Sequence, residues 1–255
     1  MDLNRLFYDF GDLLTRRTNY LTEDSVRYCL FSCMLRQDPL VDHYTMEMPY
    51  DLMSQTANSG IIASPGMLKE SRGTFRQELD LVYDDGVSDI ICVEIKFHRH
   101  TDILQGKKRS DYAHTDAAGK IINDMRRLAV INSAGQRVVR RLFVYVTDDE
   151  MHNYLSYKSK EKKNEVYRNS LSSFYADGGK FICNKNKGYI TFFDSANSSF
   201  GKTTATSFCV MATKRLFIEA RQLNCPSFQN GNCYISLFEV FDGTSVKPST
   251  DDYRL

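Results

Sequence analysis

A stripe of apolar residues predicts an amphipathic helix over residues 22–36. The stripe follows helical spacing and consists of Val26, Cys29, Leu30, Cys33 and Met34. Thr22 is placed to cap the helix, and Glu23 and Asp24 in the first turn suit the positive end of the helix dipole. Glu23 should therefore project from the edge of a buried surface.

A second stripe predicts a helix over residues 115–131. Its apolar face consists of Ile121, Ile122, Met125, Leu128 and Ala129. Charged residues follow another face of this helix: Asp116, Lys120, Asp124 and Arg127. Their spacing suits ion pairs three and four residues apart, which favours a solvated stripe.

Two apolar segments rich in β-forming residues predict a hairpin. Residues 75–83 and 90–97 flank a turn at residues 84–89, which begins Asp-Asp-Gly. Residues 140–147 predict a buried strand, and the residues from 148 to 155 open another helix. A strand that follows a helix in this way indicates at least one parallel crossover in the sheet.

The remaining segments are less regular. Residues 37–73 contain three prolines and three glycines with weak periodicity, which predicts a loop-rich connection. Strands are predicted at residues 189–194, 207–212 and 234–241, whereas residues 214–223 are ambiguous.

These elements together predict an α/β protein with a central mixed β-sheet flanked by helices. No repeat, low-complexity tract or linker divides the chain, so we expect one domain over residues 1–255. Its core would occupy about residues 22–147, and residues 148–255 would complete or elaborate the fold.

Composition indicates the cellular location of the protein more than its function. No segment approaches the roughly 18 apolar residues needed to cross a bilayer, and the first residues lack the apolar run of a secretory signal. Seven cysteines, an odd number without a C-x-x-C pair, disfavour a disulfide framework. We expect a cytoplasmic protein without membrane contact, with Cys29 and Cys33 buried rather than bound to metal. The net charge of +1 argues neither for nor against a nucleic-acid partner.

Ionisable residues interrupt the two apolar strands of the predicted hairpin. Glu94 and Lys96 are two residues apart in one strand and therefore point to the same face. Asp80 lies in the partner strand between Leu79 and Leu81. Charges in such surroundings are costly unless they pair or hold a metal ion.

Phosphodiester hydrolysis gives a reason for two acids and an amine to occur together. A divalent cation lowers the pKa of the attacking water and neutralises phosphate oxygens. Mg²⁺ binds one or two carboxylates together with waters and phosphates, and Mn²⁺ can substitute for it. We therefore expect Asp80 and Glu94 to hold Mg²⁺, with the backbone carbonyl of Ile95 as a further ligand. Lys96 would orient or help deprotonate the water and stabilise the developing charge.

Asp80, followed after a hairpin by Glu94-Ile95-Lys96, resembles the motif of the PD-(D/E)XK nuclease superfamily, which has the restriction-endonuclease-like fold. The resemblance implies that the Asp and the Glu bind Mg²⁺ and that the Lys acts on the nucleophilic water. The predicted order of helix, strand, hairpin strand, helix and strand over residues 22–147 agrees with the family core.

Two further positions bear on this resemblance. Glu23 resembles the accessory acid that many members carry on their first core helix, which would make it a catalytic residue. Leu79 stands at the place of the nominal proline, which is often absent in the family.

The resemblance thus implies a Mg²⁺-dependent nuclease with a restriction-endonuclease-like core. Its expected substrate is DNA rather than RNA, and its expected role is restriction or defence. Because family members often dimerise to cut both strands, a homodimer is a further expectation.

Basic residues directly follow the proposed catalytic strand. Cations beside a phosphate-cutting site suit the backbone of a nucleic acid. The candidates for this contact are Arg99, Lys107, Lys108 and Arg109, with Lys120 on the following helix. A charged, solvated loop is the alternative interpretation.

Other interpretations remain open at this point. Lys96 could form a structural ion pair with Glu94 or Asp80, and Glu23 could serve only the helix dipole. The chain could also be a nucleic-acid-binding or protein-interaction module with a vestigial nuclease site. No Gly-rich phosphate loop or Ser/His/Asp arrangement supports a different enzyme.

Overall fold

The structure, a computed structural model, contains both helices and strands. It describes residues 1–16, 22–49, 61–63, 78–87, 90–98, 101–102, 107–108, 114–129, 131–133, 137–157, 165–184, 189–192, 216–224, 227–228 and 233–241. The helices within these ranges are α1 (Leu3–Thr15), α2 (Glu23–Leu35), α3 (His114–Ala129), α4 (Asp149–Ser156) and α5 (Glu165–Asp177). A short 3-10 helix at Val41–His43 precedes the first strand.

The strands form one large sheet and two small ones. In chain order they are β1 (Tyr44–Pro49), β2 (Ile61–Ala63), β3 (Glu78–Tyr83), β4 (Ile90–His98), β5 (Thr101–Asp102), β6 (Lys107–Lys108), β7 (Ile131–Ser133), β8 (Val139–Asp148), β9 (Gly178–Asn184), β10 (Tyr189–Phe192), β11 (Leu216–Asn224), β12 (Ser227–Phe228) and β13 (Cys233–Val240). The large sheet has the order β1-β3-β4-β8-β13-β11-β9-β10, and β12 pairs with β13. The small sheets are β2-β7 and β5-β6.

The large sheet is mixed, as predicted. β4 and β8 run parallel, and α3 lies between them in sequence as the crossover helix. The other strand pairs described in this sheet are antiparallel. The α/β class with a central mixed sheet and flanking helices is therefore confirmed.

Helices cover both faces of this sheet and create two apolar cores. On one face, α1 and α2 pack against the odd-numbered residues of β4, including Ile91, Val93 and Ile95. On the other face, α3, α4 and α5 pack against Ile90 and Cys92. β4 is thus buried between helices on both faces, which agrees with its nearly continuous apolar sequence.

The two predicted helices are confirmed, with small changes at their ends. The side chain of Thr22 accepts a hydrogen bond from the Ser25 N–H at 3.1 Å, so it caps α2 as expected. The apolar stripe predicted for this helix is buried throughout, including Cys29 and Cys33. The apolar stripe of α3 is buried as well.

The predicted hairpin is also confirmed, because β3 and β4 pair in antiparallel register. The Asp84 carboxylate accepts the Gly86 N–H at 2.8 Å, and the Asp85 carboxylate accepts the Val87 N–H at 2.9 Å. Gly86 has a φ of +76°, a conformation that a residue with a Cβ rarely adopts. The Asp-Asp-Gly sequence therefore forms the turn through its own side chains.

The predictions for the less regular segments agree with the structure only in part. The segment 37–73, predicted to be loop-rich, contributes β1 to the large sheet and β2 to a small one. The ambiguous residues 214–223 largely belong to β11. The strands predicted at 189–194 and 234–241 correspond to β10 and β13. The strand predicted at 207–212 lies outside the described residues.

Candidate active site

Strand pairing becomes irregular around Asp80. In the β1–β3 ladder, Met46 pairs with Leu81 and Met48 with Leu79, whereas the intervening Glu47 has a φ of +52°. In the β3–β4 ladder, the described pairs end at Leu81 and Val93. β4 continues beyond this point, so its next backbone groups on the β3 side need partners other than a regular ladder.

The Asp80 carboxylate supplies the first of these partners. Its Oδ2 accepts a hydrogen bond from the Ile95 N–H at 2.6 Å, and its Oδ1 lies 2.5 Å from the Arg27 guanidinium of α2. The N–H and C=O of one strand residue point to the same side of the strand. The Ile95 carbonyl is therefore directed to the side of β4 on which Asp80 lies, as its predicted role as a ligand requires.

Glu23 supplies the second partner. Its Oε2 accepts the Phe97 N–H at 3.1 Å, two residues beyond the Ile95 N–H. Burial raises the pKa of Glu23; Lys96 and the Phe97 N–H lower it in part, and the negative charge of Asp80 raises it further. The charge of Glu23 thus interacts with the charges of Asp80 and Lys96. Glu23 of α2 therefore lies beside β4, the second strand of the hairpin.

Glu94 and Lys96 lie on the α3 face of β4. The Glu94 Oε1 is 3.3 Å from the Arg127 Nε, and the Lys96 Nζ is 3.4 Å from the Asp124 Oδ2. Arg127 also contacts the other oxygen of Asp124 through its Nη2. Two acids and two cations of alternating sign therefore form a chain: Glu94, Arg127, Asp124 and Lys96.

The charge of Lys96 depends on these acids. Burial alone lowers the pKa of Lys96, but attraction to Asp124 and Glu23 outweighs it, so the pKa is raised above its ordinary value. Lys96 is accordingly an ammonium at neutral pH in this arrangement. Such a group can bind a phosphate oxygen or stabilise developing negative charge.

The sequence did not indicate that Asp124 and Arg127 form ion pairs with Lys96 and Glu94. The predicted solvated stripe on this helix is wrong for both residues: Asp124 is only 3% exposed, and the Arg127 side chain is largely covered. The side chain of Asp116 lies outside the described residues, and Lys120 is exposed. The signal available in the sequence was that the Asp-x-x-Arg spacing of the helix could match the charges of Glu-x-Lys in β4.

Arg27 is a further residue that the sequence did not single out. Besides Asp80, its guanidinium lies 3.1 Å from Asp24 and 2.9 Å from Glu47. Glu47, which has the positive φ, thus shares Arg27 with Asp80. Arg27 joins α2, β1 and β3 beside the candidate site.

The predicted nucleic-acid contacts are only partly within the described structure. Arg99 and Arg109 lie outside the described residues, and only the backbone of Lys107 and Lys108, paired with β5, is described. His98, which the sequence places at the start of this basic segment, is buried and shares a hydrogen bond with the Tyr145 hydroxyl at 3.1 Å. It belongs to the core of the sheet.

The carboxylate oxygens of the candidate site are ligands of the kind that a hard cation binds. In the described part of the chain, no group of three or more His, Cys, Asp or Glu side chains is arranged to hold a metal ion. Mg²⁺ does not require three, since one or two carboxylates with waters and phosphates suffice. The oxygens of Asp80 and Glu94 now contact Arg27 and Arg127, so a metal ion would take the place of guanidinium groups. Asp124 Oδ2 is buried and makes no hydrogen bond to any described residue, which leaves an anionic oxygen beside the site.

Comparison with known proteins adds no family to this description. No family model, no curated protein and no solved structure matches the chain. Among the described helices, none has both the length and the apolar character needed to span a membrane.

Proposed function

We propose that this protein is a Mg²⁺-dependent nuclease of the PD-(D/E)XK class that hydrolyses phosphodiester bonds in DNA. The observation that carries the proposal is the hydrogen bond from the Ile95 N–H to Asp80. This bond brings the acid of β3 to the middle residue of Glu94-Ile95-Lys96 at 2.6 Å. The order α2, β1, β3, β4, α3 and β8 supports a restriction-endonuclease-like core, and a role in restriction or defence follows from the resemblance alone.

In this proposal each group has a defined task. Asp80, Glu94 and the Ile95 carbonyl would hold the cation, which supplies an acidified water and neutralises phosphate oxygens. Lys96, held as an ammonium by its acidic neighbours, would bind the phosphate oxygen that gains charge in the transition state. Glu23 interacts electrostatically with Asp80 and Lys96 and would orient water or a second cation.

The charges of the described site residues suit a divalent cation and a phosphate bound together. The described site residues are four acids, Glu23, Asp80, Glu94 and Asp124, and three cations, Arg27, Lys96 and Arg127. If a divalent cation displaces Arg27 or Arg127 from a carboxylate, the released guanidinium is well suited to bind a phosphate. Exposed Lys120 of α3, with Arg99, Lys107, Lys108 and Arg109 after β4, would contact the nucleic-acid backbone.

A second candidate is the binding module with a vestigial nuclease site. The ion pairs of Asp80 with Arg27 and of Glu94 with Arg127 favour it, since they supply both carboxylates with a counter-charge without a metal ion. The two candidates differ in cation binding. Calorimetric titration with Mg²⁺ or Mn²⁺ should give binding that Asp80→Asn abolishes if the site is functional, and no such binding if it is vestigial.

The decisive activity test incubates purified protein with plasmid DNA, linear DNA, single-stranded DNA and RNA, each with Mg²⁺ or with EDTA. We expect cleavage of DNA in Mg²⁺ alone. Asp80→Asn, Glu94→Gln and Lys96→Ala should each lower the rate at least about a hundredfold while circular dichroism stays unchanged. Asp12→Asn, which alters an exposed ion pair on α1, is the matched control and should cut normally. Wild-type rates in the three site variants would refute the assigned roles.

A further inference from the structure

Asp124 is the common counter-ion of two cations beside Glu94. Its Oδ1 contacts the Arg127 guanidinium, and its Oδ2 lies 3.4 Å from the Lys96 Nζ. Its side chain is 4% exposed, so water screens these contacts little. Neither cation depends on Glu94 alone for neutralisation.

Arg127 is shared unequally between its two acids. Its Nη2 is in close contact with Asp124, whereas its Nε is 3.3 Å from the Glu94 Oε1. Removing one member of a buried ion pair normally leaves an uncompensated charge, which is strongly unfavourable. If Glu94 turns to another cation, however, Arg127 still has Asp124 as its counter-charge.

The position of Asp124 Oδ2 points in the same direction. Buried carboxylate oxygens normally receive hydrogen bonds. This oxygen is buried, makes no hydrogen bond within the described chain, and faces the Lys96 ammonium. An acid that served only to attach α3 to the sheet would gain more from hydrogen bonds to both oxygens.

We propose that Asp124 is a positioning residue that holds Arg127 and Lys96 while Glu94 exchanges Arg127 for a divalent cation. The inference rests on the proposed function, because it assumes that Glu94 is a metal ligand. It assigns to α3 a role that the motif itself does not contain. Asp124 acts through its neighbours and is not itself a catalytic residue.

The test is a calorimetric titration of Mn²⁺, repeated with Mg²⁺, into folded wild-type protein and variants. Asp124→Asn should weaken cation binding by about 10-fold to 100-fold, because Arg127 would lose its close counter-charge and compete more strongly for Glu94. The double variant Asp124→Asn with Arg127→Gln should recover most of the affinity, because the cation that competes for Glu94 is gone. Asp12→Asn is again the control and should bind as the wild type does.

Arg127→Gln alone keeps the test valid if Asp124→Asn fails to fold. This variant should bind the cation more tightly than wild type, since it removes the competitor and leaves Asp124 on Lys96. Unchanged affinity in Asp124→Asn or in Arg127→Gln would overturn the inference. A loss in Asp124→Asn that the double variant does not restore would also overturn it, because Asp124 would then act without Arg127.

Cleavage assays separate this inference from the proposed function. The expected affinity pattern without DNA cleavage would support the role of Asp124 and refute the nuclease. Cleavage in Mg²⁺ with equal affinities in all variants would support the nuclease and refute the role of Asp124. Absence of cation binding to the wild-type protein would refute both the inference and the proposed metal site.

Discussion

The Asp80 carboxylate takes the place of a backbone partner for Ile95. Its Oδ2 accepts the Ile95 N–H at 2.6 Å just beyond the last described β3–β4 pair, Leu81 with Val93. A side chain thus supplies a hydrogen bond to β4 where the described pairing with β3 has ended, and this bond fixes the position of the carboxylate. Asp80 is therefore held against β4 even though no regular β3–β4 pair is described beyond Leu81 and Val93.

Arg27 should matter for stability because it is the main counter-ion of Asp80. Both side chains are 12% exposed and lie 2.5 Å apart. Arg27→Gln should lower the free energy of unfolding by about 2 kcal/mol, measured by urea denaturation, since it leaves a largely buried carboxylate without its cation. Asp24→Ala removes only an exposed partner of the same arginine and should cost less than about 0.5 kcal/mol. Equal losses in the two variants would contradict this account.

The packing of α1 can be tested with two aromatic residues on opposite faces of the helix. Phe10 is fully buried, whereas Tyr8 is 77% exposed. Phe10→Ala should destabilise the protein by about 3–5 kcal/mol, and Tyr8→Ala should change stability by no more than about 0.5 kcal/mol. Thermal or urea unfolding of both variants measures the difference. A small effect of Phe10→Ala would mean that α1 is not docked on the sheet as described.

His152 should make the protein sensitive to mild acid. Its ring stacks on Tyr234 at a centroid distance of 3.6 Å, and its Nδ1 shares a hydrogen bond with the Tyr175 hydroxyl at 3.0 Å. Burial lowers the pKa of His152 below its ordinary value of 6.5, and Asp149 offsets this only in part. The folded state therefore favours the neutral ring, and its stabilisation is complete above pH 6.5 but is lost as the pH falls towards the lower folded pKa.

The pH dependence is checked by comparing urea midpoints of wild type and His152→Gln across this window. Gln can still bond to Tyr175 but does not titrate. The wild type should lose stability relative to the variant as the pH falls below 6.5. Parallel curves for the two proteins would show that His152 contributes nothing to the acid sensitivity.

Two buried thiols should resist alkylation in the folded protein. Burial raises the pKa of Cys33 to about 11 and that of Cys92 to about 12. Because the thiolate is the reactive form, iodoacetamide at mildly alkaline pH should leave both unmodified, and urea should expose them. Peptide mass spectrometry identifies the labelled positions. Rapid labelling of Cys92 without denaturant would contradict the burial of β4 between two layers of helices.

The regular parts of the fold were predictable because their signals are local. α2 and its Thr22 cap, α3, β8 and the hairpin each carry their own periodicity or turn sequence. β1 was missed because residues 37–73 mix a short strand with prolines and glycines, and its pairing with β3 is a tertiary contact. The helix α1 carries the same kind of local signal, since its buried residues from Leu3 to Leu14 follow helical spacing.

The residues of the candidate site were likewise only partly predictable from the sequence. Asp80, Glu94 and Lys96 were identifiable because charges in apolar strands are unusual and match a motif. Asp124 and Arg127 were not, since their three-residue spacing is equally typical of a solvated helix face. Only the orientation of α3 above β4 decides that their charges turn inward. Arg27 was hidden for the same reason within the polar edge of α2.

The position of β8 between β4 and β13 makes distant parts of the chain depend on each other. β8 lies at the centre of the large sheet and pairs on its far side with β13, so Val144 meets Leu237 across more than ninety intervening residues. A fragment that stopped after α4 would present the apolar strand β8 as a bare sheet edge, which invites pairing with other copies and aggregation. During synthesis, β13 must therefore leave the ribosome before this edge can be closed.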